Sequence, residues 1–111
     1  MAKVYLACPY SHNPARGFVE ASKAAARLME AGNVVFSPIS HSHPVAVHGK
    51  LDALDQGFWL RQDLPFLKDS EVLMVLQLPG WECSKGVRRE IDYAGELQIP
   101  VVFMPWEEGK E

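Results

Sequence analysis

Short apolar runs alternate with helical patterns along this chain, and this alternation restricts its possible folds more than any other feature. The runs at residues 4–8, 34–36, 71–78 and 100–104 are short and mostly apolar, which predicts buried β-strands. The run at 71–78 is the strongest, because residues 72–76 are all apolar. Strands that are apolar on both faces are typical of a parallel sheet that helices cover on each side.

The segments between these runs begin with residues that commonly start helices. Asn13 with Pro14, Asp55 and Ser84 are predicted to cap three helices, because each cap can accept a hydrogen bond from a free amide of the first turn. The helix faces comprise Phe18, Ala21, Ala25 and Leu28 in the first helix, Phe58, Trp59, Gln62 and Phe66 in the second, and Val87, Ile91, Ala94 and Leu97 in the third. Residues 37–50 hold two prolines, a glycine and three histidines, so they are predicted to form a polar loop. Residues 106–111 are expected to be a loose tail.

The resulting order, β-α-β-α-β-α-β, predicts a single α/β domain over residues 1–111. Its core is expected to be a small doubly wound, flavodoxin- or Rossmann-like parallel sheet of four to five strands, with helices on both faces. If the strand order is 2-1-3-4, the order reverses between the first and third strands, and ligands bind at such a point. The loops at residues 8–13 and 78–84 would then form the site.

Composition and charge exclude several classes of protein. With 48% hydrophobic and 23% charged residues, the chain is too apolar to be disordered. Its two cysteines lie far apart in the sequence, which excludes a disulfide scaffold. A net charge of −3 with scattered basic residues disfavours long nucleic acid as a partner, but not a small phosphate ligand. No apolar run is long enough to span a bilayer, and the start of the chain lacks a signal-peptide pattern. We therefore expect a cytoplasmic protein with reduced cysteines and no membrane partner.

The pattern Ser84-x-Gly86-x-x-x-Glu90 is the first candidate site. Ser84 and Gly86 lie at a predicted helix start, where free amides favour a phosphate or a carboxylate, and Gly86 allows close approach of the backbone. Glu90 lies at the edge of the apolar helix face and could point into a pocket. The alternative is an ordinary capped helix with a solvated Glu90.

Asp63 and Tyr5 extend this candidate site. Asp63 lies four residues after Trp59 on the second predicted helix, and a second carboxylate is what glycosyl-bond chemistry requires; the alternative is a surface Asp63. Tyr5 could donate its hydroxyl to a carboxylate and orient it, or it could be a buried strand tyrosine with a structural partner.

The turn Cys8-Pro9-Tyr10 ends the first strand, where a ligand-binding loop is expected. Cys8 could act as a nucleophile or be a small buried residue. Trp81 could stack on a base or form an oligomer contact.

The histidines and the arginine pair leave similar alternatives open. His41, His43 and His48 could bind a metal, or their segment could form a pocket wall in which one histidine, His43, hydrogen-bonds to the ligand. Arg88 and Arg89 could reach a phosphate, or they could form a solvated helix face.

Six segments in order resemble the nucleoside 2-deoxyribosyltransferase superfamily, which includes deoxynucleoside 5′-monophosphate N-glycosidases, and a branch of small bacterial and phage domains in particular. They are VYLACPYS at residues 4–11, AGNVVFSP at 31–38, QDL at 62–64, DSEVLMV at 69–75, SKGVRREI at 84–91 and IPV at 99–101. The chain departs from the family's pattern at Cys8-Pro9-Tyr10, at residues 40–49 and at Trp81-Glu82-Cys83. These departures bear on the substrate more than on the carboxylate chemistry.

The resemblance implies a role for each matching residue. Glu90 matches the nucleophile that forms a covalent glycosyl-enzyme, Asp63 the acid that holds the sugar or handles the leaving base, and Tyr5 the hydroxyl that orients the nucleophile. Ser84 and the Gly86 backbone match the segment that contacts the 5′ group. A small nucleoside or nucleotide substrate, no cofactor, no metal, and a homodimer or homotetramer are implied.

The resulting prediction is an N-glycosidase or a deoxyribosyltransferase. The alternatives are a non-catalytic module that senses a nucleotide or phosphosugar, and a metal-dependent protein that uses the three histidines.

Overall fold

Four parallel strands form the centre of the computed structural model, which describes residues 1–106. The elements are β1 (Lys3–Ala7), α1 (Pro14–Glu30), β2 (Val34–Phe36), α2 (Pro38–Gly49), α3 (Gln56–Lys68), β3 (Val72–Leu76), a 3₁₀ turn (Trp81–Cys83), α4 (Lys85–Glu96) and β4 (Val101–Met104). The strand order is β2-β1-β3-β4, and every neighbouring pair is parallel. This confirms the predicted α/β fold, its strand order and the reversal between the first and third strands.

Two separate layers of apolar side chains cover the two faces of the sheet. One layer joins β1 and β3 to α3 and α4 through Tyr5, Ala7, Leu67, Leu73, Val75, Val87 and Ala94. The other joins the sheet to α1 through Leu6, Cys8, Ala21, Ala24, Ala25, Leu76 and Leu78. Alternate residues of β1 therefore pack on opposite faces, as the period of two along a strand requires.

The three predicted helix caps are confirmed. The Asn13 side chain accepts a hydrogen bond from the Arg16 amide, the Asp55 side chain from the Phe58 amide, and the Ser84 hydroxyl oxygen from the Val87 amide. Each cap satisfies one amide that the first helical turn leaves without a partner.

The prediction of a polar loop at residues 37–50 is wrong, because Pro38–Gly49 form the helix α2. Ser37 caps it by accepting a hydrogen bond from the Ser40 amide. Pro38 occupies the first turn, where no amide is needed, and it favours the helix there. α2 includes Pro44 and ends at Lys50, whose φ of 58° is left-handed. The helix packs beside α1, with a hydrogen bond between the Ser22 and Ser40 hydroxyls.

The sequence predicts a loose tail from Trp106 onward, but Trp106 itself is held in place. The Trp106 indole nitrogen donates to Glu20 Oε1 at 2.8 Å, and the Arg16 guanidinium lies 5.0 Å from the centre of the Trp106 ring. These contacts hold Trp106 against α1. The rest of the predicted tail, residues 107–111, lies outside the described residues. Over residues 1–106, none of the helices combines the length and the apolar character that a membrane crossing requires.

Candidate active site

A carboxyl group lies on the buried face of α4. Val87, Glu90 and Ala94 are the buried residues of this helix, and Glu90 is only 7% exposed. Its position follows from the helical repeat, because residues three and four apart share a face. A carboxylate at such a position loses most of its hydration, so it requires a compensating partner.

Tyr5 is the partner of Glu90. It lies on β1, a central strand, and its side chain is 0% exposed. The Tyr5 hydroxyl donates a hydrogen bond to Glu90 Oε2. Burial, followed by the charge of Glu90, raises the pKa of the Tyr5 hydroxyl far above its ordinary value, so the phenol stays protonated and remains a donor.

Asp63 is the second carboxyl group of the site. It is buried on α3, 7% exposed, and it lines the same pocket as Glu90. Burial raises the pKa of Asp63 to about 6. Burial also raises the pKa of Glu90, to about 8, with a further increase from the charge of Asp63 and an opposing decrease from the Tyr5 hydrogen bond. The structure thus brings the two predicted acids together.

The pocket lies beyond the carboxyl ends of β1 and β3, where the strand order reverses. It has a volume of about 90 Å³. The predicted site residues that line it are Cys8, Tyr10, His43, Asp63, Ser84, Gly86 and Glu90. Tyr5 does not line the pocket, but its hydroxyl donates to Glu90, which does.

Two predicted binding residues do not line this pocket. Pro9 is buried, and its carbonyl oxygen accepts a hydrogen bond from the Cys8 thiol at 3.4 Å. Trp81 packs against the core layer of α3 and α4, with its ring centre 5.2 Å from that of Phe103. The 3₁₀ turn directs this indole toward β4, so the structure does not place Trp81 where it could stack on a ligand in the pocket.

The Cys8 thiol is poorly suited to act as a nucleophile. Burial raises its pKa to about 12, with further contributions from the charges of Glu90 and Glu20. The reactive form of a cysteine is the thiolate, so Cys8 serves here as a small buried wall residue.

Most of the pocket wall that α2 and α3 supply is not predicted from the sequence. Ile39, Ser42 and Ala46 of α2 line the pocket, together with Gln56 and Trp59 of α3. The sequence predicts a loop for the α2 segment, and a loop has no defined face from which wall residues could be predicted. Trp59 could have been found, because it lies one turn before Asp63 on the same helix face.

The three histidines of α2 do not converge. His41 and His48 are exposed, whereas His43 lines the pocket. Among residues 1–106, no cluster of three or more histidine, cysteine or acidic side chains is arranged to hold a metal ion. The geometry therefore offers no support for the metal-dependent alternative.

The basic residues of α4 form a separate groove beside the pocket. Lys85, Arg88 and Arg89 line this groove, together with the acidic Glu82 and Asp92. Gln56 and Ser84 line both the groove and the pocket, so the two are neighbours.

Comparison with known proteins identifies the family. Residues 2–106 match the model of a family described as a domain of unknown function, DUF1937. The chain belongs to this family. A comparison of this DUF1937 domain with curated proteins finds no match.

The fold of this DUF1937 domain is also that of a characterised enzyme. It is similar to the solved structure of a 2-deoxyribosyltransferase from the psychrotolerant bacterium Bacillus psychrosaccharolyticus. The two chains are 22% identical, the match covers 99% of this chain and 77% of the other, and the TM-score is 0.70. The resemblance predicted from the sequence is thereby confirmed at the level of the fold.

Proposed function

We propose that this DUF1937 domain cleaves the N-glycosidic bond of a nucleoside or nucleotide, with Glu90 as the nucleophile. One observation carries the proposal: Glu90, buried and hydrogen-bonded by Tyr5, shares a pocket with Asp63. Desolvation with a raised pKa is typical of catalytic carboxyl groups. The fold that the domain shares with a 2-deoxyribosyltransferase supports the same chemistry.

In the proposed first step, Glu90 forms a bond to the anomeric carbon of the sugar. The bond between that carbon and the base nitrogen breaks, and its electron pair leaves with the base. The base gains a proton, for which Asp63 is the candidate donor. The anomeric centre carries positive charge in the transition state, which a nearby carboxylate stabilises.

The second step releases Glu90. Water that attacks the anomeric carbon gives hydrolysis and a free sugar, whereas a second base that attacks there gives transfer. In both cases the bond between Glu90 and the sugar breaks and its electron pair returns to the carboxylate. The attacking water or base gives up a proton, for which the now ionised Asp63 is the candidate acceptor, so both carboxyl groups return to their starting state. Dividing the reaction in this way replaces one difficult step with two easier ones.

The two carboxyl groups titrate as a pair in this mechanism. With pKa values of about 6 for Asp63 and about 8 for Glu90, the pair holds one proton over the interval between them. Most of the pair then has the proton on Glu90, which has the higher pKa. The reactive form is the minor arrangement, with the proton on Asp63 and the negative charge on Glu90. The Tyr5 hydrogen bond favours it, because the phenol donates to the ionised Glu90.

The start of α4 is the proposed binding place for the 5′ end of the substrate. Ser84 and Gly86 line the pocket there, and free amides at a helix start favour an anion. The sugar would then lie between this helix start and the two carboxyl groups.

The test compares Glu90→Gln with Glu96→Gln, an exposed position on the same helix. Base release from a panel of nucleosides and nucleoside monophosphates is followed by chromatography, with and without a second free base as acceptor. We expect Glu90→Gln to lose at least a thousandfold in turnover while Glu96→Gln keeps it. Full turnover in a folded Glu90→Gln variant would exclude the nucleophile. Tight binding by the wild-type domain without base release would favour the non-catalytic sensor.

A further inference from the structure

We propose that His43, together with Ser42, recognises the departing base and determines which bases this DUF1937 domain accepts. This inference rests on the proposed function and adds to it a specificity-determining wall formed by α2. The observations that support it are the orientation of His43, the unsatisfied hydroxyl of Ser42 and the apolar character of the wall around them.

His43 is held in one orientation by two neighbours. The Tyr10 hydroxyl lies 2.6 Å from His43 Nδ1, and the His43 ring stacks on Phe18 with centres 4.5 Å apart and planes at 24°. When Tyr10 donates to Nδ1, the proton of the neutral imidazole is on Nε2, which is then a hydrogen-bond donor. One ring nitrogen is thus occupied within the protein, and the other is left for a ligand.

Ser42 supplies a second polar group beside His43. Its hydroxyl oxygen is buried and, among the described residues, has no hydrogen-bond partner, and Ser42 lines the pocket. Such groups are rare in folded proteins, because burying an unsatisfied hydroxyl is unfavourable. A ligand that brings a polar atom to this wall would remove that cost.

The chemistry of the wall fits a base better than a sugar or a phosphate. Ile39, Ala46 and Trp59 line the same pocket and offer apolar and aromatic surface. A nucleobase has apolar faces and a polar edge, so it can pack on these side chains while its edge meets Ser42 and His43. The amides proposed to bind an anion lie at the start of α4, which also carries Glu90, and Asp63 lies on α3. The groups for the sugar and the phosphate therefore belong to elements other than α2.

The test measures binding in the Glu90→Gln background, where no bond is expected to break. The probes are 2′-deoxyadenosine, 2′-deoxycytidine, the 2′-deoxyriboside of unsubstituted purine, and 2-deoxyribose 5-phosphate, which has no base. His43→Asn retains a polar atom near the position of Nδ1, and His43→Gln retains one near Nε2. His41→Asn, on the exposed side of α2, is the matched control.

We expect His43→Asn to weaken binding of the preferred nucleoside about tenfold and to reduce its advantage over unsubstituted purine deoxyriboside. His43→Gln restores part of that loss, and His41→Asn changes nothing. Binding of 2-deoxyribose 5-phosphate stays the same in all variants. An equal loss for the probe without a base, or unchanged discrimination in His43→Asn, would overturn the inference.

Ser42→Ala separates ligand contact from a structural role. Removing an unsatisfied buried hydroxyl should leave the Tm of the free protein unchanged or higher, while nucleoside affinity falls severalfold. A lower Tm with unchanged affinity would overturn the part assigned to Ser42. The two proposals fail separately. If the domain releases bases but its discrimination between them does not depend on His43, only this inference is contradicted. If His43 determines which nucleoside binds but no base is released, only the proposed function is contradicted.

Discussion

The Tyr5 hydroxyl donates a hydrogen bond to Glu90 across 85 positions of sequence. It connects a central strand of the sheet to the buried face of α4 and leaves the carboxyl group at the wall of the pocket. Because Tyr5 packs within the core, its hydroxyl has little freedom to move. The donor is therefore in place before any substrate binds, which is the condition for effective electrostatic stabilisation.

Tyr5→Phe tests this relationship with little change in packing, because it keeps the ring, whose centre lies 5.8 Å from that of Phe36. The Tyr5 hydrogen bond lowers the pKa of Glu90, so its loss should raise that pKa and reduce the ionised fraction. We expect turnover to fall about 10- to 100-fold, as for a lost hydrogen bond to a charged group. The basic limb of the pH–rate profile, which follows the higher pKa of the pair, should move to higher pH, and an unmoved limb would contradict the assignment.

Glu90→Gln should stabilise the fold at alkaline pH. The folded protein holds the Glu90 proton up to about pH 8, against an ordinary value of 4.5. The native state thus binds more protons than the unfolded state between these values, and stability falls as pH rises through that window. Each pKa unit corresponds to about 1.4 kcal/mol. In urea unfolding, the free energy of unfolding of Glu90→Gln should exceed that of the wild-type domain by several kcal/mol at pH 9 and by little at pH 5. The control Glu96→Gln should match the wild-type domain at both pH values.

The pH dependence of kcat/KM should be bell-shaped in the wild-type domain. The active form of the carboxyl pair carries one proton, so activity should be highest between about pH 6 and pH 8, the pKa values of Asp63 and Glu90. Asp63→Asn removes the charge that raises the pKa of Glu90. The residual activity should then rise with pH through a single pKa below about 8, the lowered pKa of Glu90. A single pKa at or above the wild-type value of Glu90 would show that the two groups do not interact as described.

Gly17→Ala should displace the turn that carries Tyr10, a residue of the pocket wall. An added Cβ at Gly17 would lie 2.8 Å from the Pro9 carbonyl oxygen and 3.3 Å from the Tyr10 Cα, so the turn that carries Tyr10 must shift. We expect a loss of about 1–3 kcal/mol in the free energy of unfolding, with weaker nucleoside binding. Gly95→Ala is the control, because nothing lies within 4 Å of its added Cβ. On an exposed helix it should stabilise the fold by about 0.5–1 kcal/mol. Equal effects of the two variants in thermal unfolding would rule out the close approach.

Prediction from the sequence succeeded where the controlling interactions are local. Asn13, Asp55 and Ser84 each cap a helix through an amide three residues ahead, and such short-range bonds can be recognised from residue type and spacing. The loop prediction for α2 is wrong, because the segment holds Pro38 and Pro44, and prolines are common in loops. Pro38 in fact lies in the first turn of that helix, where proline is favourable.

The sequence by itself determined the alternation of strands and helices and, through it, the parallel sheet and the edge at which the pocket lies. Those features follow from short-range hydrogen bonding and from the period of the apolar residues. Only the tertiary structure decided that Tyr5, Asp63 and Glu90 meet, that Trp81 packs away from them, and that His43 lines the pocket while His41 and His48 of the same helix do not. Burial and charge interaction depend on which elements become neighbours in space, and no local pattern contains that information.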